Sequence, residues 1–172
     1  MRISALDYEA MYETILVQIR LSRVIVAALV GAALAVSGVV MQSVFRNPMA
    51  DPGIIGVSSG GAFGGVIAIY FGFASMNVLF VPLFGFLGAL ITLIIVYGIA
   101  TRNGKTSMNT LLLIGIAISS FISSCTSLLI SFSDTLLVQE ILYWLMGDLN
   151  GRDWDHVKIL MLPVSVCFIV FS

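Results

Sequence analysis

The chain has 172 residues, of which 59% are apolar and 10% charged, with a mean hydropathy of +1.09 and a formal net charge of −1. An average soluble domain carries about 25% charged residues, so a water-facing globule and a disordered chain are both excluded, and a multi-pass membrane protein remains. The small net charge gives no basis for nucleic-acid binding.

The first 23 residues alternate polar and apolar and hold Arg2, Asp7, Glu9, Glu13, Arg20 and Arg23, without the apolar core of a signal peptide. Val24–Phe45 then runs 22 residues without a charge. As a helix it measures about 33 Å, enough for a bilayer core of roughly 30 Å, and residues 24–45 form a first span. Arg46-Asn47-Pro48-Met49-Ala50-Asp51-Pro52-Gly53 follows and breaks the helix with two prolines, an Asn and a Gly. The 50 uncharged residues from Pro52 to Thr101 are too many for one crossing. Their polar interruption, Ser75-Met76-Asn77, divides them into spans over 57–73 and 78–100. Thr101–Asn109 reads as a polar loop holding Arg102 and Lys105, and 110–132 as a fourth span. Residues 135–147 suit a short interfacial helix, because Tyr143 and Trp144 belong at a membrane surface. A fifth span starts at 157 and reaches the last residue, 172, after about 24 Å. That is less than a crossing, so the expectation is a single transmembrane domain, 1–172, cut from a longer protein.

Cys125 and Cys167 lie in apolar runs with no CxxC, and His156 is the single histidine. Buried structural thiols are expected, with no metal set and no cofactor. Gly104-Lys105-Thr106 is not a P-loop, because that motif needs a glycine at position 99, where Ile99 stands. The chain is therefore not read as an ATPase or any other enzyme. Gly60/Gly64 and Gly61/Gly65 are GxxxG spacings that let helices approach closely, and a short Gly-interrupted span is also what borders a transporter's path. Ser120, Ser123, Ser124, Ser127 and Ser131 fall on one helical face. They read either as serines bonded to their own i−4 carbonyls or as the wetted wall of a path. Arg20 and Arg23, three apart, share a face. They are either interfacial anchors or a docking point for acidic residues of a partner. Apart from Lys158 at the mouth of the fifth, no span holds Asp, Glu, Lys, Arg or His, so coupling energy for any transport would come from outside this chain.

Several stretches carry a resemblance. Arg20-Leu21-Ser22-Arg23-Val24, Leu29–Gly38, Met41–Ala62, Leu111–Ala117 and Tyr143–Trp154 resemble the permease subunits of bacterial ABC importers for iron–siderophores, haem and vitamin B12, the FecCD type. The order R-x-x-R, S-G-x-x-x-Q, R-N-P-x-A-x-P-G is specific to it. Ser22 departs from it, standing where that family usually has Pro. The resemblance implies an all-α, polytopic membrane helix bundle forming about half of a ten-helix permease. It implies a bacterial cytoplasmic-membrane location, a second permease subunit (identical or paralogous), cytoplasmic ATP-binding subunits and an extracellular or periplasmic substrate-binding protein. It turns Arg20 and Arg23 toward that binding protein. It makes the serine face a translocation pathway and places a cytoplasmic gate near Ser107, Met108 and Asn109. Gln42, Asn47, Pro48, Asp51, Pro52, Gly53 and Gly56 are the family-motif residues. Charge counting sets Arg46, Arg102 and Lys105 against Arg2, Arg20, Arg23, Arg152 and Lys158, which alone would put the N-terminal side inside. The resemblance implies the opposite orientation. Two other classes remain open: a small structural or assembly membrane protein, and a secondary carrier.

Overall fold

The structure is a computed structural model that describes residues 12, 14–77, 79–102, 104–149, 151 and 153–171. The N-terminal stretch 1–11, Val78 at the start of the third expected span, the motif residues Asn150 and Arg152, Ser172, and the Cys167 side chain lie outside the described residues.

A π-helical segment, Thr14–Leu21, runs into α1, Ser22–Phe45. A 3-10 turn, Pro52–Ile55, leads to α2, Val57–Tyr70. The one-turn helix α3, Phe73–Met76, and α4, Phe80–Ala100, follow. Strands β1, Thr101–Arg102, and β2, Lys105–Thr106, precede α5, Met108–Ser131. The chain continues with α6, Thr135–Met146, and α7, Trp154–Phe171. The fold is all-α apart from that two-strand hairpin. Three helical stretches are long and apolar enough to cross a membrane: Thr14–Phe45, Phe80–Ala100 and Met108–Ser131. The α2 and α6 helices are apolar but shorter. The first of these ends at Tyr70, where Gly72 takes up a left-handed φ of 75° and the chain turns into α3.

The chain divides into two compact units, residues 1–40 with 148–172, and residues 41–147. In the first, Ser22, Val26, Val157 and Val164 are buried. Ser22 turns its hydroxyl back onto Gln18 O at 2.7 Å, at the junction of the π-helical and α-helical segments.

The second unit is built on glycine. The α2 and α4 helices touch backbone to backbone, and a β-carbon on Gly64 would strike the Phe84 carbonyl, while one on Gly60 would meet Thr92 and Gly88 O. Gly88 returns the contact against Gly60 O. The paired GxxxG spacing therefore does the close packing its small residues allow. Across α2, the Trp144 ring of α6 fills the notch over Gly65, and Ile141 is buried with Val66 and Ile69. The sequence assigns Trp144 to a membrane surface; here it is half-buried, with one edge of its ring against Gly65. Ile55, Val96, Ala100 and Leu111 form a second cluster, joined by Met41 and Phe45.

The polar loop expected over 101–109 is a tight hairpin across its first six residues. Thr101 pairs with Thr106 and Arg102 with Lys105, and the Thr101 and Thr106 hydroxyls share a 2.7 Å hydrogen bond. Gly104, at φ 72°, supplies the positive angle that a two-residue turn needs.

Candidate functional site

The motif segment after α1 is folded by its own side chains. Asn47 Oδ1 accepts the Met49 N–H at 2.9 Å, and the Asn47 N–H reaches back to Gln42 O at 3.2 Å. Pro48 between them has no N–H to satisfy. Asp51 caps the 3-10 turn, its Oδ1 accepting the Gly53 N–H at 2.6 Å, with Pro52 in the first helical position. A β-carbon on Gly53 would lie 2.7 Å from Asp51 Oδ1, so the capping carboxylate would have to shift. Gly56 ends the turn at φ 86° and opens α2. The side chain of Gln42 is exposed, and Arg46 holds a left-handed φ of 48°.

This turn seats on α5 where Gly115 leaves a gap. A β-carbon there would lie 2.9 Å from Ile55 Cα. Thr92 and Ser119 flank Gly56, each about as near as a side chain at that position would tolerate. Thr92 is buried and donates to Gly88 O at 2.8 Å. Ser119 Oγ is buried with no hydrogen-bond partner, although serines in helices commonly bond the i−4 carbonyl. Sequence reading missed this three-way junction. Thr92 is the only Ser or Thr in Phe80–Ala100, and that isolated hydroxyl was the available signal.

Of the six serines of α5, the five on the predicted face, Ser120, Ser123, Ser124, Ser127 and Ser131, are exposed, whereas Ser119 is half-buried. Ser120, Ser124 and Ser127 bond the carbonyls of Ile116, Ser120 and Ser123 at 2.9, 2.9 and 3.0 Å. Three of these hydroxyls are thus bonded within their own helix, and the face they occupy is left exposed by the described residues. Phe121 and Leu113, 70% and 69% exposed, lie on the same open side. Ser107, Met108 and Asn109 are exposed at the start of α5. Ser107 is the N-cap residue but makes no side-chain capping bond. Cys125 is a free thiol and half-buried, less enclosed than the sequence suggests.

In the other unit, Arg20 is exposed on the π-helical segment and Arg23 half-buried on α1, with its Nε buried and unpartnered. His156 Nδ1 pairs with Asp153 Oδ1 at 2.7 Å. That hydrogen bond holds the Asp153 carboxyl below the usual carboxylate value.

A family model described as the FecCD transport family matches residues 2–172. The chain belongs to the FecCD transport family. A cobalamin import system permease, BtuC of Halobacterium salinarum, is 49% identical over 148 residues, 86% of this chain and 39% of that protein. A molybdate import system permease, MolB of Haemophilus influenzae, is 41% identical over 167 residues, 95% of this chain and 48% of that protein. A solved structure, an inward-facing conformation of a metal-chelate type ABC transporter, aligns with TM-score 0.84 and 36% identity, covering 99% of this chain and 52% of its own. This FecCD chain spans about half the length of the curated relatives it matches. They are named for cobalamin and molybdate, where the sequence reading put iron–siderophores and haem beside cobalamin and did not foresee an oxyanion.

Proposed function

We propose that this FecCD chain forms part of the membrane-embedded permease of an ABC importer that moves cobalamin, a metal chelate or a comparable bulky polar solute inward. It does no ATP hydrolysis itself and is driven by separate cytoplasmic ATP-binding subunits. The observation that carries the reading is the alignment of 99% of the chain on a metal-chelate type ABC transporter, joined to an uncovered hydroxyl face on α5. Iron–siderophore and haem remain within the proposed substrate class, alongside the cobalamin and molybdate of the relatives' names.

In this reading the spans lie at about 24–45, 57–73, 78–100, 110–132 and 157–172, with 135–147 at the interface, in the bacterial cytoplasmic membrane. A second permease subunit faces the serines of α5 across a common path. Weak hydroxyl contacts suit transport, because tight binding in the path would hold the cargo. Ser107, Met108 and Asn109 stand at the cytoplasmic gate. Arg20 and Arg23 meet acidic residues of an external substrate-binding protein. The partly buried Arg23 supports that role, since a desolvated guanidinium gains more from a carboxylate than an exposed one.

Uptake of labelled cobalamin or iron chelate by cells carrying the intact permease operon tests the proposal. Uptake is expected to stop on ATP depletion and to survive dissipation of the proton gradient. The reverse result identifies a secondary carrier. Arg20→Glu with Arg23→Glu is expected to weaken binding-protein capture at least tenfold (charge reversal at two contacts), and unchanged capture removes the docking role.

A further inference from the structure

We infer that Ser22 is the positioning residue of the two docking arginines: its hydroxyl holds the π-to-α junction that sets the directions of Arg20 and Arg23 relative to each other. The inference deepens the docking role proposed above and rests on it. Arg20 belongs to the π-helical segment Thr14–Leu21 and Arg23 to α1, so the pair straddles the junction. Backbone bonds span five residues in a π-helix and four in an α-helix. Where five gives way to four, one carbonyl is passed over by the N–H groups and needs another donor. The change of element between Leu21 and Ser22 puts that carbonyl at Gln18. The Ser22 hydroxyl donates to Gln18 O at 2.7 Å, with Ile19 O 3.2 Å away. Ser22 is 0% exposed, and Val26, one turn further along the same face, is also buried. The α1 side of the junction is therefore anchored, and the other side carries the exposed Arg20.

A side chain without the hydroxyl tips this balance. Alanine is the strongest helix former, and without the Ser22 donor the Gln18 carbonyl is satisfied by a continuous α-helix instead. Losing the extra residue of the π-helical register turns everything before the junction by about 100°, the angle of one helical residue. Arg20 is carried to another face, while Arg23, half-buried with its Nε enclosed, stays where it is. Acidic groups fixed on a partner surface cannot follow both, because charge-assisted contacts need donor and acceptor within hydrogen-bond distance. Proline at the same position holds the junction by another route. It has no N–H to close an α-helical bond, and its ring keeps off the carbonyl four residues back, which is Gln18 O. Threonine keeps the hydroxyl.

The test measures the affinity of the purified substrate-binding protein for the full-length permease, assembled with its ATP-binding subunits in nanodiscs. Ser22→Ala should weaken binding about fivefold, the order of one lost hydrogen bond. Ser22→Thr and Ser22→Pro should bind as the wild type does. In a double-mutant cycle the Ser22→Ala loss should disappear on an Arg20→Gln background, because Ser22 acts through Arg20. A Ser22→Ala variant with wild-type affinity overturns the inference. So does a loss that persists in full without the Arg20 charge, which marks general destabilisation. So does a Ser22→Pro variant as weak as Ser22→Ala, which takes the junction out of the account. Arg20→Gln with Arg23→Gln separates the two readings. If the arginine pair weakens binding and Ser22→Ala does not, docking stands and positioning falls. Unchanged binding in the arginine pair removes docking and the inference with it.

Discussion

Asp51 is exposed, yet it caps the 3-10 turn after α1 through one 2.6 Å bond to the Gly53 N–H. Asp51→Ala should destabilise the second unit by about 1 kcal/mol, the ordinary worth of such a cap. Asp51→Asn should retain most of it, and thermal unfolding of the full-length protein in detergent measures both. Ser119 differs from its neighbours because its hydroxyl is buried against Gly56 without a partner. Ser119→Ala removes an unsatisfied group and should be neutral or slightly stabilising, within about 1 kcal/mol. A large loss would mean the hydroxyl is satisfied in the working protein. Asp153, tied to His156, titrates below the ordinary carboxylate value. A depressed carboxylate contributes stability above its unfolded value and loses it as pH falls through the folded one. The tether is therefore intact at neutral pH and released in strong acid. An NMR titration of the Asp153 carboxyl carbon should show that lowered midpoint, and His156→Ala should return it toward normal.

Among the elements, the α2–α4 contact is the least forgiving. Gly64→Val places methyl groups in the Phe84 carbonyl and should cost about 3 kcal/mol or prevent assembly. Gly98→Ala, with nothing within 4 Å of its added β-carbon, should be neutral or gain about 0.5 kcal/mol. Comparing the two variants separates close packing from helix propensity. On α5, Ser124→Cys in a Cys125→Ser background should react with a water-soluble thiol reagent if the serine face is wet. The paired control Phe121→Cys measures labelling elsewhere on the same open side. Much of this element level was legible in the sequence, because charge-free runs and GxxxG spacing report burial and close approach directly. The partners were not legible. Nothing local to Gly65 names Trp144 as the group that fills its notch, since that contact depends on how α6 folds back. The hairpin did leave a signal, Asn103-Gly104, but the charged composition of 101–109 hid it. The Arg102–Lys105 juxtaposition is a property of register, which composition does not carry.

For the whole molecule, hydropathy fixed the class, and the order of R-x-x-R, S-G-x-x-x-Q and R-N-P-x-A-x-P-G fixed the family. The substrate was out of reach for a physical reason: the proposed path, lined by small residues and hydroxyls bonded to their own helix, would recognise little, so the sequence records little about a cargo. The division into two units was equally hidden, because apolar spans look alike whatever they pack against. The seam between α2 and α4 has one more consequence. Two rods joined main chain to main chain cannot slide past each other or exchange rotamers, so they must pivot as a single plank. Under the proposed transport role, adaptation to new cargo is then channelled elsewhere: α5 can trade side chains on its open flank while the plank, with little but glycine and Thr92 at its joint, stays the same.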